Sequence, residues 1–308
     1  MEIIEEIKTL KVDYCSDVHL DFWCKEYNPQ SPKFKRLLKN FIENLGYGKS
    51  QANVLIIAGD LGHYNQQDQA FLLELKKIYK YILLVRGNHD MYLVSSQKAR
   101  YDLNSFNRVN DMKVFCEENE IHYLDGQIIN IDGFNFSGVG MSWDKYYYEK
   151  ISQKTVSDYE IQRYFHNNMN DGRLIYGGSD NYDVPTAYGG SFYNSSFDTF
   201  KYFKDEYQKL SNIHDYNNID VMISHYVPLV IEDMPSRFKN SLATTFYMFD
   251  GYSDIERINP QYWVFGHTHM QYDFIYPKTN TRFLCNPIGY PQESIYIGIK
   301  TFILDKKQ

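Results

Sequence analysis

The hydrophobic pattern of the first part of the chain alternates between two periods. Residues 54–58 and 81–85 are unbroken apolar runs, typical of strands covered on both faces of a parallel sheet, and residues 10–15 are also β-prone. Between these segments, apolar residues at helical spacing predict amphipathic helices through residues 34–45 and 71–78. The order strand, helix, strand, helix, strand predicts parallel strands joined by crossover helices.

Shorter elements follow a helix predicted over about residues 99–118. Asp132-Gly133 is a hairpin turn signal between two β-prone segments, and apolar runs return at residues 221–224 and 263–265. The tail contains three further β-prone segments, which we expect to be antiparallel strands that close a second sheet. These segments are residues 272–276, 282–285 and 296–304.

Residues 144–216 lack a clear hydrophobic period and are rich in tyrosine, glycine, serine and asparagine. We interpret this stretch as a Tyr-rich insertion or cap within one domain that spans residues 1–308. Its aromatic side chains have two interpretations. They either stack on a base or sugar of a ligand or, as we favour, pack the cap, with Asn170, Asp171 and Arg173 tying it to the core.

Composition narrows the functional classes. Hydrophobic residues make up 43% of the 308 positions, yet no apolar run approaches the roughly 20 residues that a membrane helix needs. The acidic start, residues 1–6, does not resemble a secretory signal, so we expect a soluble cytoplasmic protein with no membrane partner. The four cysteines form no CxxC pair, and we expect them to be reduced. A net charge of −7 argues against nonspecific binding of nucleic acid.

Polar, metal-binding residue types follow five of the predicted strands. Because loops at the carboxyl ends of strands share one edge of an open α/β sheet, these side chains are expected to meet in one crevice. They are Asp17 and His19, Asp60, Asn88 and His89, His225, and His267 and His269.

This set of residues suits a pair of divalent cations. Two such ions about 3.5 to 4 Å apart need a bridging carboxylate, for which Asp60 is the natural choice, and they promote in-line phosphoryl displacement. The abundance of imidazole favours manganese, iron or zinc over magnesium. Glycine precedes Asp60, Asn88 and His267, where the backbone has to turn tightly beneath the metals.

Five sequence blocks resemble, in order, those of the calcineurin-like metallophosphoesterase superfamily: S-D-V-H, A-G-D, G-N-H-D, S-H-Y and G-H-T-H. The segments at residues 139–144, 169–173 and 285–291 resemble a bacterial and phage branch whose substrates are mostly unassigned. The resemblance implies an α/β fold, a four-layer α/β/β/α sandwich of two mixed sheets. It also implies a dinuclear metal site at the carboxyl edge of the strands.

The resemblance further implies the role of each ligand. Asp17, His19 and His269 would hold one ion, Asn88, His225 and His267 would hold the other, and Asp60 would bridge the two. The cofactors would be two divalent metal ions, manganese being favoured and iron, zinc or magnesium the alternatives. A metal-activated hydroxide would attack phosphorus. His89 would donate a proton to the leaving oxygen or stabilise phosphoryl charge, and Asp90 would orient the His89 ring.

Two nearby residues have more ambiguous roles. For Arg86, we favour a solvated or structural salt bridge over a contact with phosphate. His63 occupies the position, three residues after Asp60, where purple acid phosphatases carry a tyrosine, so a tyrosinate-ligated ferric site is not expected. We expect His63 to lie in a loop near the rim of the site.

The resulting hypothesis is dinuclear metal-dependent hydrolysis of a small phosphorylated substrate, a monoester or a diester, with nucleotides among the candidates. One alternative is a nuclease acting on DNA or RNA ends, for which the insertion supplies a set of basic residues. These are Lys145, Lys150, Lys154 and Arg163. A second alternative is a non-catalytic protein that binds a phosphorylated ligand.

Overall fold

A computed structural model of the chain describes residues 7–95, 97–151, 153, 155–178, 197–213, 218–231, 234–239, 241–293 and 298–307. Two mixed β-sheets face each other and helices flank them, which confirms the predicted α/β fold. The part of the insertion at residues 179–196 and 214–217, together with Lys154, lies outside the described residues. Within the described chain, no helix is long and apolar enough to cross a membrane.

Among the described residues, the first sheet contains five strands: β1 Ile7–Cys15, β2 Val54–Ala58, β3 Tyr81–Val85, β4 His122–Tyr123 and β11 Lys300–Lys307. In the same part of the chain the second sheet contains six: β5 Ile128–Ile131, β6 Phe134–Val139, β7 Val221–Ser224, β8 Tyr262–Phe265, β9 Tyr272–Ile275 and β10 Arg282–Cys285. Their orders are β11-β1-β2-β3-β4 and β5-β6-β7-β8-β10-β9. Inner strands run parallel, whereas β11, β5 and β9 pair antiparallel at the edges.

The helices of the described chain are α1 Leu20–Trp23, α2 Pro32–Leu45, α3 Asn65–Lys76, α4 Gln97–Arg100, α5 Ser105–Glu118, α6 Tyr146–Ile151, α7 Asp158–Asn168, α8 Asp171–Leu174, α9 Thr199–Asn212 and α10 Tyr252–Ile258. The α2 helix begins as its sequence predicts, because the Ser31 hydroxyl accepts the amide hydrogen of Phe34. It ends at Gly46 in a left-handed conformation.

The prediction of a single helix over residues 99–118 is wrong for its first part. The chain leaves α4 through Asp102 and Leu103, both with positive φ, and α5 begins afresh after Asn104. The Asn104 side chain accepts the amide hydrogen of Phe106, which is an N-cap contact. The cap therefore starts a second helix where apolar spacing alone suggested continuity.

Two apolar layers hold the sandwich together. Residues such as Val12, Ile56 and Val85 on the first sheet pack against Phe136 and Ile223 on the second, and all five are fully buried. A larger cluster fills the outer faces of the sheets beneath the helices. Strands buried on both faces explain the unbroken apolar runs of β2 and β3.

The last strand of the chain lies in a different sheet from the one expected. β9 and β10 are antiparallel neighbours in the second sheet, as predicted, but β11 pairs with β1 in the first sheet, with Leu304 opposite Leu10 and Phe302 opposite Val12. Both Phe302 and Leu304 still enter the layer between the sheets. An alternating strand suits the edge of either sheet, so its sequence pattern did not distinguish them.

Candidate metal centre

The loops that follow β1, β2, β3, β7 and β8 interlock at one edge of the sandwich. The backbone N–H of Asp17 donates to the Gly59 carbonyl, and that of Gly266 donates to the His225 carbonyl. The first bond joins loops of the first sheet and the second joins loops of the second sheet, and the His267 N–H, which donates to Oδ1 of Asp17 at 3.0 Å, links the two sheets. The structure thus brings together all the strand-end residues that the sequence predicted.

Much of this edge has unusual backbone geometry. Five of the predicted ligands have left-handed backbones: φ is 49° at Asp17, 45° at His19, 59° at Asp60, 73° at His267 and 52° at His269. Each such residue costs roughly 1 to 3 kcal/mol and persists only where its surroundings enforce it. Such strain is concentrated at functional sites, and here it coincides with the residues whose chemistry suits a metal.

The ligand atoms form overlapping groups with Asp60 between them. Asp60 Oδ2 lies 3.8 Å from Nε2 of His19 and 3.4 Å from Nε2 of His225. On one side, Nε2 of His269 is 2.9 Å from Nε2 of His19 and 3.5 Å from Oδ1 of Asp17. These distances give Asp60 access to both halves of the site.

The other half is formed around His225. Its Nε2 lies 3.2 Å from Nδ1 of His267 and 3.0 Å from Oδ1 of Asn88. Asp60, His225 and His267 are all buried and place their ligand atoms within 4.8 Å of one another. A second group of this kind consists of Asp17, His19 and His269.

Hydrogen bonds fix which ring nitrogen of three imidazoles faces the centre. Nδ1 of His225 contacts the Ala58 carbonyl at 2.8 Å, and Nε2 of His267 contacts the Phe246 carbonyl at 3.1 Å. Carbonyl oxygens only accept, so the opposite nitrogen of each neutral ring carries the lone pair. Nδ1 of His269 meets a carboxylate oxygen of Glu293 at 2.6 Å in the same way. This is how metal-binding histidines are usually oriented.

The pKa values of the histidines in the cluster shift in both directions. Burial, followed by neighbouring imidazoles, lowers the pKa of His19 and His267 well below the usual histidine value, which favours the neutral, metal-binding form. Burial lowers the pKa of His225 too, but the Asp60 carboxylate outweighs it and raises that pKa to about 9. Carboxylate, amide oxygen and imidazole are donors that fit two transition-metal ions, and an ion bound at His225 would displace the proton of that ring.

The glycines beneath the site make room for it. A Cβ on Gly59, whose φ is 85°, would lie 2.5 Å from Nδ1 of His225. A Cβ on Gly266 would lie 2.8 Å from Oδ2 of Asp17. Both contacts are shorter than Cβ atoms tolerate, so a side chain here would displace a predicted ligand.

His89 is adjacent to the cluster, and its ring is held by His63. Nδ1 of His89 lies 2.8 Å from Nε2 of His63, whose Nδ1 lies 2.9 Å from Oδ2 of Asp21. Because a carboxylate accepts, His63 donates to Asp21, and a neutral His63 ring then accepts from Nδ1 of His89. Nε2 of His89 is left to exchange a proton, and it lies 3.5 Å from the Tyr290 hydroxyl.

This arrangement corrects two sequence interpretations. Asp90 was expected to orient the His89 ring, but its carboxylate accepts the backbone N–H groups of Asp60, Leu61 and Gly87. Asp90 therefore shapes the loops beneath Asp60. His63 was expected near the rim, but it is only 9% exposed and contacts the His89 ring. The one sequence signal for a role of His63 was its position three residues after Asp60, in the G-D-L-G-H segment. That spacing did not reveal His89 as its partner.

The insertion contributes directly to the site through Asp171. Oδ1 of Asp171 accepts the Asn88 amide hydrogen at 2.7 Å and also accepts the Tyr92 hydroxyl. The Asn88 nitrogen is thus occupied, which turns its oxygen toward His225. The expected contact between Asp171 and the core is confirmed. Its partner in the core is Asn88, which is a predicted metal ligand.

Arg86 has a structural role. Its guanidinium lies 2.7 Å from a carboxylate oxygen of Glu206 on α9 and also donates to the Tyr202 hydroxyl. Arg86 and Glu206 are 4% and 1% exposed. The favoured salt-bridge interpretation is therefore confirmed, and the contact joins the insertion to the end of β3.

Aromatic residues of the described insertion pack against the core. The Trp143 ring lies 5.2 Å from that of Phe165 and 4.6 Å from that of Phe246, centroid to centroid. All three side chains are buried. These contacts support the packing interpretation for this part of the insertion.

Comparisons with known proteins agree with this geometry. Residues 10–271 match the sequence model of the calcineurin-like phosphoesterases. An uncharacterized protein, L509, of Acanthamoeba polyphaga mimivirus is 24% identical over 272 residues, which cover 82% of this chain and 85% of that protein.

One solved structure shows a similar fold. The phosphopantetheinyl hydrolase PptH of Mycobacterium tuberculosis aligns with a TM-score of 0.65 at 16% identity, covering 95% of each chain. A dimetal phosphatase from Danio rerio aligns with a TM-score of 0.45 at 12% identity, covering 97% of this chain and 95% of that one. At these identities the first similarity establishes the fold alone.

Proposed function

Because this chain belongs to the calcineurin-like phosphoesterase family, we propose that it hydrolyses a small phosphoester at a centre of two divalent cations. The observation that carries the proposal is the position of Asp60. Its Oδ2 is 3.8 Å from Nε2 of His19 in one ligand group and 3.4 Å from Nε2 of His225 in the other. A carboxylate within reach of both groups is what a dinuclear centre requires.

The ligands divide between the two ions. Asp17, His19 and His269 hold the first, and Asn88, His225 and His267 hold the second, with Asp60 shared. Such ions supply a reactive oxygen nucleophile and polarise the phosphoryl oxygens. We favour manganese because the set mixes carboxylate and amide oxygens with imidazole; the imidazoles also suit iron or zinc, and magnesium is less suited.

His89 supplies the proton chemistry in this proposal. Its Nε2 faces the site, and because Nδ1 donates to His63, Nε2 accepts in the neutral ring and donates to the leaving oxygen or the phosphoryl group only when the ring is protonated on both nitrogens. Burial lowers the pKa of His89 well below the usual histidine value, so this protonated form depends on the charge of a bound phosphoester. The His63 ring, backed by Asp21, holds the His89 ring in place and balances charge on it. Asp90 acts only by fixing the loop around Asp60.

The direct experiment uses manganese-loaded protein and a panel of phosphomonoesters, phosphodiesters, cyclic nucleotides and oligonucleotides. We expect turnover of at least one small ester. The His89→Ala variant should keep its metal and lose about 10²- to 10⁴-fold in kcat, the usual contribution of a general acid or base. No turnover of any ester, or full activity of His89→Ala, would contradict the proposal.

The geometry favours a small ester over a nucleic acid. Lys145, one of the basic residues considered for a nuclease track, is paired with Asp158 at 2.8 Å and with Glu149 at 3.3 Å. Such pairing reduces its value for binding phosphates. A nuclease would show binding to oligonucleotides that weakens steeply with salt, and we expect no such dependence here.

We also propose a reducing compartment such as the cytoplasm as the place of action. All four cysteines are buried and have free thiols. They are Cys15, Cys24, Cys116 and Cys285. Burial raises the pKa of Cys15 to about 12, which keeps this thiol protonated and unreactive.

A further inference from the structure

A cavity of about 650 Å³ opens onto the candidate metal centre. Asp60, His89, His267 and His269 form its floor. This volume falls in the usual range of about 300 to 1,000 Å³ for small-molecule sites and is much more than a phosphoryl group occupies. The remaining space must therefore be considered as a site for the rest of the substrate.

The wall of this cavity contains four methionines, and Ile231 and Phe238 line it as well. Ile231, Met234 and Met248 belong to the main buried apolar cluster, against which Met169 packs. We call this wall the methionine pocket, defined by Met169, Met234, Met248 and Met270. Thioether side chains are flexible and polarisable, so they fit apolar groups of varied shape.

Several polar groups that also line the cavity already have partners within the protein. The Thr244 hydroxyl donates to the Phe238 carbonyl at 2.6 Å, and Glu293 accepts from His269 at 2.6 Å. Asp171 is bonded to Asn88 at 2.7 Å. These groups hold the site together, which reduces their value for recognising a polyhydroxylated substrate.

Positive charge on the wall is sparse. Among the described residues that line the cavity, Arg237 is the single lysine or arginine, and its guanidinium lies 4.7 Å from the ring centroid of Phe238. A polyanion would need several such cations along its path. The cavity is therefore poorly suited to a substrate that carries many phosphates.

We propose that the substrate is a phosphate ester of a predominantly apolar alcohol, whose alkyl or aryl portion occupies the methionine pocket. This inference rests on the proposed function, because the floor must hold the phosphoryl group for the wall to meet the leaving alcohol. Hydrolysis breaks the bond between phosphorus and the ester oxygen, water adds to phosphorus, and the alcohol leaves with a proton. The apolar portion provides binding energy without taking part in the reaction.

A series of straight-chain alkyl phosphates isolates this effect. Ethyl, butyl, hexyl and octyl phosphate release alcohols of nearly equal acidity, so differences in kcat/KM report on binding of the chain. We expect kcat/KM of the manganese-loaded protein to rise about threefold to fourfold per added methylene, as hydrocarbon burial predicts, until the pocket is full. Equal values for ethyl and octyl phosphate would overturn the inference and leave the proposed function intact.

Substitutions in the methionine pocket provide a second test of the inference. Met234→Gln and Met270→Gln keep the length of the side chain but place an amide in the wall, and both should flatten the dependence on chain length. Met270 is only half-buried, so its replacement is compatible with folding. Ile303→Gln, on the 55% exposed Ile303 of β11, is the matched control and should keep the wild-type dependence. An unchanged dependence in both methionine variants would overturn the assignment.

Binding without turnover separates this inference from the proposed function. Calorimetry with ethylphosphonate and octylphosphonate, which are not hydrolysed, should show at least tenfold tighter binding of the octyl compound. If no ester is turned over but octylphosphonate binds that much more tightly, hydrolysis is wrong and the apolar pocket stands. Equal affinities for ethylphosphonate and octylphosphonate would overturn the assignment of the apolar pocket, whichever ester the protein hydrolyses.

Discussion

Nε2 of His63 lies 2.8 Å from Nδ1 of His89, and the other nitrogen of His63 contacts Asp21. This contact makes His63 a positioning residue for the ring that faces the substrate. The pair is therefore a direct target for mutation.

Replacing His63 by phenylalanine keeps a flat ring but removes both hydrogen bonds. We expect kcat to fall about 10- to 100-fold, with KM and metal content little changed, because His89 loses its orientation rather than its contact with substrate. Steady-state kinetics and metal analysis of the purified variant test this. His122→Phe, on the distant strand β4, is the matched control. Wild-type kcat in His63→Phe would show that the contact has no catalytic consequence.

Asp171 should control the affinity of one metal ion. Asp171→Ala removes the closer of the two acceptors of the Asn88 nitrogen and leaves the Tyr92 hydroxyl at 3.2 Å, so the amide is held less firmly with its oxygen toward the centre. Loss of an outer partner of this kind typically weakens metal binding about 10- to 100-fold. A calorimetric titration with manganese should show one weakened site and one unchanged site.

The control for this experiment lies on the same insertion. Asp158→Ala removes a 70% exposed carboxylate that pairs with Lys145 and should leave both sites unchanged. If Asp171→Ala also binds two ions with wild-type affinity, the Asn88 amide does not depend on the insertion.

Arg86 should matter for stability and not for substrate binding. Arg86→Met leaves the buried Glu206 carboxylate with Lys209, at 2.7 Å, as its remaining cation, so the free energy of unfolding should fall, by less than the roughly 3 to 5 kcal/mol expected for a buried charge without any partner. Denaturant titration measures this. Arg282→Met breaks an exposed pair with Asp273 and should cost no more than about 1 kcal/mol. A large rise in KM without loss of stability would instead place Arg86 against phosphate.

The strand-end ligands were predictable because each follows an apolar run directly. An unbroken buried strand fixes where the chain leaves the sheet, so Asp60 after β2 and His225 after β7 were placed by the end of their strands. The parallel order of the strands then brought them to one edge. Local pattern and topology were sufficient for this part of the site.

Contacts between loops were beyond the same reasoning. Asp90 follows His89 in sequence, which suggested that it holds the ring, yet a short 3₁₀ turn over His89–Met91 directs its carboxylate to the backbone of residues 60 and 61. His63 reaches the ring from another loop. Which side chain meets which depends on backbone dihedrals that the hydrophobic period does not report.

The same limit applies to edges and caps in the fold. β11 alternates apolar and polar residues, as a strand at either sheet edge would, and its place beside β1 is set by the packing of Phe302 and Leu304. The break before α5 depends on the Asn104 cap and the left-handed residues before it. Both features are decided by tertiary geometry rather than by periodicity.

The central claim is that side chains from five loops hold two cations that share Asp60. Metal analysis of protein loaded with manganese and then dialysed tests it most directly. We expect two ions per chain in the wild type, and in Asp60→Asn a loss of at least one ion together with nearly all activity, while the circular dichroism spectrum is unchanged. One ion or none in the wild type, or two tightly held ions in Asp60→Asn, would contradict the account.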